Sequence, residues 1–320
     1  MDIFNEATIR EHIHIDVDVI REIEAGFTAL YEGKAVMPPI MRIDIPENNG
    51  EVDSKSAYIR GEDSFALKIS SGFFDNDKLG LPSTGGLMFL ISAVHGQPVA
   101  VLHDNGYLTD VRTAAAGAVA ADYLANEEIE TVGVIGSGAQ ARYQLEALSK
   151  VRSFNNVIAY SRTRENVEQY CEDVSRMYEI EAIAADDAEQ VANKSDLIIT
   201  TTQSSEPVLQ KEWINPGTHI TAMGSDAPHK QELDEGIIQL ADIVVCDYIE
   251  QCEECGELRR ALEKKLVDKN SVLELGQLTK HKRKPRTSKN DITVADLTGT
   301  GVQDTKIALL AYNRLAETVG

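Results

Sequence analysis

No stretch of this 320-residue chain approaches the roughly 20 consecutive apolar residues that a bilayer-crossing helix needs, so no membrane span is expected. The opening MDIFNEATIREHI lacks a basic segment followed by an apolar one, and the expected location is the cytoplasm. Cysteine is scarce. Cys171, Cys246, Cys252 and Cys255 are too few and too unevenly spaced for a disulfide framework, so reduced thiols are expected. CEEC at 252–255 has metal or redox spacing, but it has no second pair and glutamates fill its middle; no metal site is expected. Positive charge is also short: 31 Lys and Arg stand against 52 Asp and Glu, a formal net charge of −21, which argues against nucleic acid or an anionic membrane as partner. The one basic cluster, KHKRKPR at 280–286, is followed by Thr287 and Ser288 and reads as a solvated loop. Internal repeats and low-complexity linkers are missing too.

What is present is a globular composition, 42% hydrophobic, long enough for two domains. From Thr131 to Leu148, TVGVIGSGAQARYQLEAL runs from a β-branched strand through a glycine turn into a helix-forming segment. Gly136 permits the tight turn, Gly138 lets backbone approach a pyrophosphate, and Ala141 lets helix and strand pack closely; with Ala139 opening the helix, free amides face the phosphates. This is a dinucleotide-binding turn, preceded by about 130 residues of something else.

That earlier region opens with an amphipathic helix over 16–31, where Val17, Ile20, Ile23, Phe27 and Leu30 recur at helical spacing. Short β-rich segments follow at 41–45, 56–60, 64–70, 86–92 and 98–104 with no helices between them, which predicts an antiparallel or mixed sheet. Thr109 is expected to cap an alanine-rich helix, Val111 to Ala125. From Thr131 the strands alternate with helices, near 131–135, 156–160, 196–201, 218–222 and 242–246, and ITVADLTG at 292–299 precedes a closing helix near Asp304 to Thr318. The fold class is α/β: a Rossmann-type doubly wound parallel sheet at 128–302, plus an α+β domain from 1–127 with 303–320.

An acid usually ends the second strand of such a sheet to hold the adenosine ribose; AYSRTRE at 159–165 places Ser161 and Arg162 there instead. The missing carboxylate removes repulsion of a 2′-phosphate, and Arg162 and Arg164 are positioned to pair with one, so NAD(P)(H) is expected with NADP favoured. Arg42, Lys68 and Arg112 are long cations in otherwise apolar segments and need anionic partners, whether structural carboxylates or a substrate carboxylate. In ITAMGSDAPHKQEL at 220–233, Asp226 follows a buried strand at the sheet edge where ligands bind; it also fits the cap of a following helix. Asp234 and His229 are further acid–base candidates that fit a helix start or an exposed loop equally well.

The segments GVIGSGAQARYQLEAL, LTDVRTAAAGA, GTHITAMGSDAPHKQELD and DLTGTGVQD resemble the signatures of the ornithine cyclodeaminase/μ-crystallin family over nearly the whole chain. FFDNDKLGLPS at 73–83 and VLHDNGYLTDVRTAAAGA are most similar to its iminosuccinate reductase and ectoine-utilisation cyclodeaminase-like branch. The resemblance implies a homodimer whose first domains pair their sheets, with the active site between the two domains. It implies that Arg42, Lys68 and Arg112 bind the carboxylate of a small amino or imino acid, and that Asp226, together with Lys68, is catalytic. Thr113, Gln140, Thr298 and Gly299 join the expected cofactor-binding set, the last two within a loop beside the nicotinamide. SAYIRG at 56–61 departs from the cyclodeaminase pattern, so ornithine itself is not the expected substrate.

The activity so implied is NAD(P)H-dependent reduction of an α-imino acid, of the iminosuccinate-to-aspartate type, or the reverse dehydrogenation. A second anion on such a substrate would need Arg60, Lys55 or His229. Two other readings stand beside it: an NAD-dependent cyclodeaminase acting on a diamino acid, and a non-catalytic NADPH or small-ligand binder of the μ-crystallin type.

Overall fold

The computed structural model describes residues 1–319, of which Asp77, Thr318 and Val319 are described by their backbone alone. The chain divides into two compact units, Met1–Arg112 with Thr300–Gly320, and Thr113–Gly299. The first division falls inside the helix Tyr107–Leu124, and Ala121 and Ala125 pack with Val132, Val134 and Leu145 of the second unit's core. That helix opens at Tyr107, two residues before the expected Thr109 cap. The Asp104 carboxylate accepts from Leu108 N at 2.7 Å, after a turn in which Asn105 and Gly106 both take positive φ.

The first unit is built on a seven-stranded mixed sheet. Asp2–Asn5 pairs parallel with Pro98–His103, and Thr84–Ser92, Ser64–Phe73 and Gly50–Ile59 follow antiparallel; Gly50–Ile59 also pairs with Ala35–Val36 and Met41–Ile45. Strand alternation gives the sheet two faces. Ala57, Ala66, Met88, Leu90, Ala100 and Leu102 are buried on one, against which the long helix Gly301–Val319 packs. The other face is also apolar: Ile3, Val101, Phe89 and Leu67 stand in one cross-strand row, with Ile69 opposite Leu87 beside it, and these residues are half-buried or exposed within the chain.

In the second unit, eight parallel strands lie in the order Glu181–Ala184, Asn156–Tyr160, Thr131–Ile135, Leu197–Thr200, His219–Ala222, Thr293–Asp296, Ile243–Cys246, Leu273–Glu274. Both faces are covered, so the central strands are apolar throughout, as LIIT at 197–200 shows. The order reverses between Thr131–Ile135 and Leu197–Thr200, the topological switch point at which such sheets bind ligands.

The basic run is only partly solvated. Arg286 donates to the carbonyls of Leu124, Gly217 and Asp291 and to Thr293 Oγ1, tying the chain together ahead of the strand Thr293–Asp296. Cys252 and Cys255 are buried, with Cys252 Sγ donating to Asp247 Oδ1 at 3.3 Å and Cys255 Sγ to Gln251 O. No helix among the described residues is long and apolar enough to cross a membrane.

Candidate active site

Register alone brings two of the first unit's cations together. Lys55 on Gly50–Ile59 pairs with Lys68 on Ser64–Phe73, so both project from the same buried face. Lys68 is 2% exposed and its Nζ donates to Asp304 Oδ1 at 3.0 Å; Asp304, fully buried, comes from the closing helix. Arg112 Nε lies 3.0 Å from the same oxygen, an ion pair without hydrogen-bond alignment, and Arg112 Nη1 reaches Gln303 Oε1 at 3.4 Å.

Burial would raise the Asp304 carboxyl, but Lys68, Arg112 and Lys55 outweigh it and hold the group below its usual range. Burial, reinforced by the Arg112 charge, pushes Lys68 down to about 7. Two buried cations, Lys68 and Arg112, therefore share the one oxygen Asp304 Oδ1, and Arg112 Nε and Asp304 Oδ2 have no hydrogen-bond partner. Two buried cations on one carboxylate oxygen, with the Arg112 Nε donor unmatched, suit a carboxylate ligand. Asp104, 1% exposed and with Oδ1 likewise unmatched, is pushed by burial to about 6. Sequence reasoning missed Asp304 and Asp104 as site residues, although both lie in the segments that carry the family resemblance.

Arg42 occupies the same sheet face but different company. Its Nε donates to Asp44 Oδ1 at 2.9 Å, its Nη2 to Glu51, and its Nη1 lies 3.6 Å from Asp53. These carboxylates hold its guanidinium above its ordinary value despite partial burial. Of the expected cradle, then, the structure joins Lys68 and Arg112 through Asp304 and gives Arg42 to acids of its own. Arg60 and His229 are exposed; Lys55 is the member of that trio beside Lys68.

In the second unit Gly136 and Gly138, Ser161, Asp226, and Thr298 and Gly299 follow the C-terminal ends of parallel strands, whereas Thr113 lies in the helix Tyr107–Leu124. At Gly136, φ is 117°, and a Cβ would meet Thr201 Oγ1 at 2.4 Å. Gly138 caps the helix Ala139–Leu148 with no side-chain acceptor, and a Cβ there would meet nothing within 4 Å. An open approach to uncapped helix amides fits a pyrophosphate. Gln144 Nε2 links Thr113 O at 3.0 Å to Gln140 Oε1 at 3.3 Å, placing two expected cofactor residues beside this helix. Ser161 Oγ accepts from Ser137 Oγ at 3.0 Å, joining the second strand's end to the turn. Arg162 is exposed, whereas Arg164 is held by Glu168, Asp186 and Ala185 O. The Thr298 and Gly299 amides donate to Asp247 Oδ2 at 2.9 and 2.7 Å, which fixes that loop.

Asp226 is not a helix cap. Residues 223–234 form no helix, and the next one, Glu235–Leu240, is capped by Asp234, whose Oδ1 accepts from Gly236 N. Asp226 is half-exposed, and Lys230 Nζ, 4% exposed, donates to its Oδ1 at 2.6 Å. A partly exposed carboxylate held by a buried ammonium is a chemically suitable group for proton exchange.

Comparison with known proteins places the chain in a family. The family model described as Ornithine cyclodeaminase/mu-crystallin family matches residues 2–319. A protein of Sinorhizobium fredii named uncharacterized cyclodeaminase y4tK is 46% identical over 319 residues, covering 99% of this chain and 96% of its own. The Delta(1)-pyrroline-2-carboxylate reductase of Thermococcus litoralis, solved with NADH and L-proline, superposes with a TM-score of 0.94 at 29% identity, covering 100% of this chain and 98% of that one. An archaeal alanine dehydrogenase dimer with bound NAD gives 0.92 at 32% identity, covering 100% and 97%.

Asp304→Asn removes the anion that Lys68 and Arg112 share. We expect it to destabilise the protein by about 3–5 kcal/mol, measured by denaturant unfolding, because it leaves the buried cations uncompensated.

Proposed function

Since the chain belongs to the ornithine cyclodeaminase/mu-crystallin family, we propose that it is a nicotinamide-dependent oxidoreductase that reduces an α-imino acid to the L-amino acid, or runs the reverse reaction. The observation that carries this reading is the buried Lys68–Arg112 pair on a single oxygen of Asp304, with the Arg112 Nε donor unmatched. Lys68 and Arg112 bind the α-carboxylate and so fix the α-carbon, while Asp304 keeps both cations aligned before the ligand arrives. Asp226 gives a proton to the nitrogen as it becomes an amine and takes one back in the reverse direction. The turn at Gly136 and Gly138 with Ala139, Gln140, Thr113, Thr298 and Gly299 holds the dinucleotide. When bound, the nicotinamide supplies or accepts the hydride at the α-carbon. The pyrroline-carboxylate reductase and the alanine dehydrogenase among the similar structures support this class of chemistry.

For the cofactor we propose acceptance of NADPH, with Arg162 meeting the 2′-phosphate; its exposure and the lack of an acid at Ser161 support this, while Arg164 is already engaged. A second reading, cyclodeamination of a diamino acid, is favoured by one observation: Asp44, Glu51 and Asp53 gather on the same sheet face as Lys68, where a side-chain ammonium would find anions.

An absorbance screen with NADH and NADPH, using pyruvate, oxaloacetate, glyoxylate and cyclic imines with ammonia or methylamine, separates the readings. Reduction consumes NAD(P)H stoichiometrically; cyclodeamination releases ammonia from a diamino acid with only catalytic dinucleotide; a binding protein does neither. We expect stoichiometric consumption, with Arg112→Ala raising the substrate KM by more than tenfold.

The KM also carries a pH signature. Lys68 is protonated below about 7 and neutral above it, and a carboxylate favours the protonated form. KM is therefore lowest on the acid side and rises through about 7 by up to about tenfold per unit. Lys68→Arg, charged throughout, should flatten that rise.

We further propose a homodimer formed on the outer sheet face, where the row Ile3–Val101–Phe89–Leu67 presents an apolar surface. Leu67→Lys with Phe89→Lys should convert a dimer to a monomer in multi-angle light scattering; a wild-type monomer contradicts the assignment.

A further inference from the structure

The segment after the strand His219–Ala222 carries Asp226, yet neither helix nor strand holds it in shape over 223–232. Backbone groups in a partly buried irregular loop need partners, and here two buried carboxyl groups supply them. Glu232, fully buried, accepts from Gly224 N at 2.7 Å and Thr200 Oγ1 at 2.7 Å, and from Thr202 N. Gly224 lies so close that a Cβ would sit 2.1 Å from Thr202 O and 2.5 Å from Glu232 Cδ. Glu257, also fully buried, comes from a distant part of the chain, in the CEECGEL segment at 252–258 that the dinucleotide turn and the carboxylate cradle leave unused. One of its oxygens accepts from Ser225 Oγ and from Glu232 N at 2.8 Å; the other accepts from Leu233 N at 2.9 Å.

Ser225, the residue before Asp226, is thereby anchored through its side chain, and the return of the loop at 232–233 is anchored through its backbone to the same group. We infer that Glu257 is a positioning residue for the proposed proton-exchanging group Asp226, acting through Ser225 and the 232–233 backbone to hold the 224–233 loop in one conformation. This rests on the reading of Asp226 given above. Burial, with the charges of Asp296 and Glu232, pushes Glu257 up to about 8, and the hydrogen bonds from Ser225 and Glu232 N–H oppose that rise by favouring the carboxylate. Its two oxygens each face a backbone N–H, so a glutamine in its place must turn its NH2 toward one of them, whichever way the amide lies.

Displacing a proton-transfer group by a fraction of an ångström lowers turnover while leaving the binding of substrate largely intact. The test measures kcat, KM and thermal melting for the full-length wild type, Glu257→Gln, Ser225→Ala, their double variant and Asp226→Asn. The assay uses NADPH or NADH with whichever of pyruvate, oxaloacetate or glyoxylate plus ammonia, or a cyclic imine, turns over fastest. We expect Glu257→Gln and Ser225→Ala each to lower kcat about tenfold with KM unchanged within twofold, the double variant to fall no further than the worse single one, and Asp226→Asn to lose at least a hundredfold. Wild-type kcat in Glu257→Gln and Ser225→Ala, beside an inactive Asp226→Asn, overturns the positioning role and leaves the reading of Asp226 intact. Additive losses accompanied by a raised KM also overturn it, since they indicate a general structural effect. Wild-type kcat in Asp226→Asn sinks the reading of Asp226 and the inference with it. If Glu257→Gln does not fold, Ser225→Ala decides alone: lowered kcat at constant KM supports the role, and wild-type kcat overturns it.

Discussion

The first unit depends on one buried carboxylate. Asp304 sits where strand pairing and the Tyr107–Leu124 helix bring Lys68 and Arg112 together, and without it both cations would lose the carboxylate they share. An arrangement of this kind is weak evidence for stability, because desolvating such ions costs several kcal/mol each even when paired. Its value lies in preorganisation. Asp304 holds two long, flexible cations in place ahead of any ligand, and burial depresses Lys68 so that a nearby anion would favour its charged form.

The second unit uses carboxyl groups differently. Asp247, Glu232 and Glu257 are all buried, and each is spent on backbone amides of irregular segments just beyond strand ends: Thr298 and Gly299 for Asp247, Gly224 and Thr202 for Glu232, Glu232 and Leu233 for Glu257. A sheet edge left open at its strand ends cannot satisfy its loops with further secondary structure without covering itself. Buried acids solve this by bonding the loops from within the sheet side. The acidic composition, which says little about fold when read as a net charge, thus includes a small set of carboxyls with fixed structural work.

Period and turn chemistry made much of the architecture legible. The parallel strands at 131–135 and 156–160 fall where the apolar runs lie, and the mixed sheet follows from β-rich segments with no helices between them. The strands Asp2–Asn5, Glu181–Ala184 and Leu273–Glu274 were not legible: each is four residues or fewer, at a sheet edge, and defined by its partner rather than its own pattern. The glycine turn could be read residue by residue because each glycine answers a local constraint. The carboxylate cluster could not, since Lys68 and Asp304 are 236 positions apart and meet only through the fold. Arg42 shows the converse limit. A cation in a short β-rich segment announces that it needs an anion, but whether that anion is a ligand or Asp44, Glu51 and Asp53 depends on cross-strand register. The same holds for Asp226, where the helix that would have made it an ordinary cap does not form.

The most direct test is a crystal structure of this chain with a dinucleotide and a bound L-amino acid. The account predicts the α-carboxylate within hydrogen-bond distance of both Lys68 and Arg112, with Asp304 still bridging those two cations. A carboxylate bound elsewhere, with Lys68 and Arg112 touching only Asp304, would contradict it.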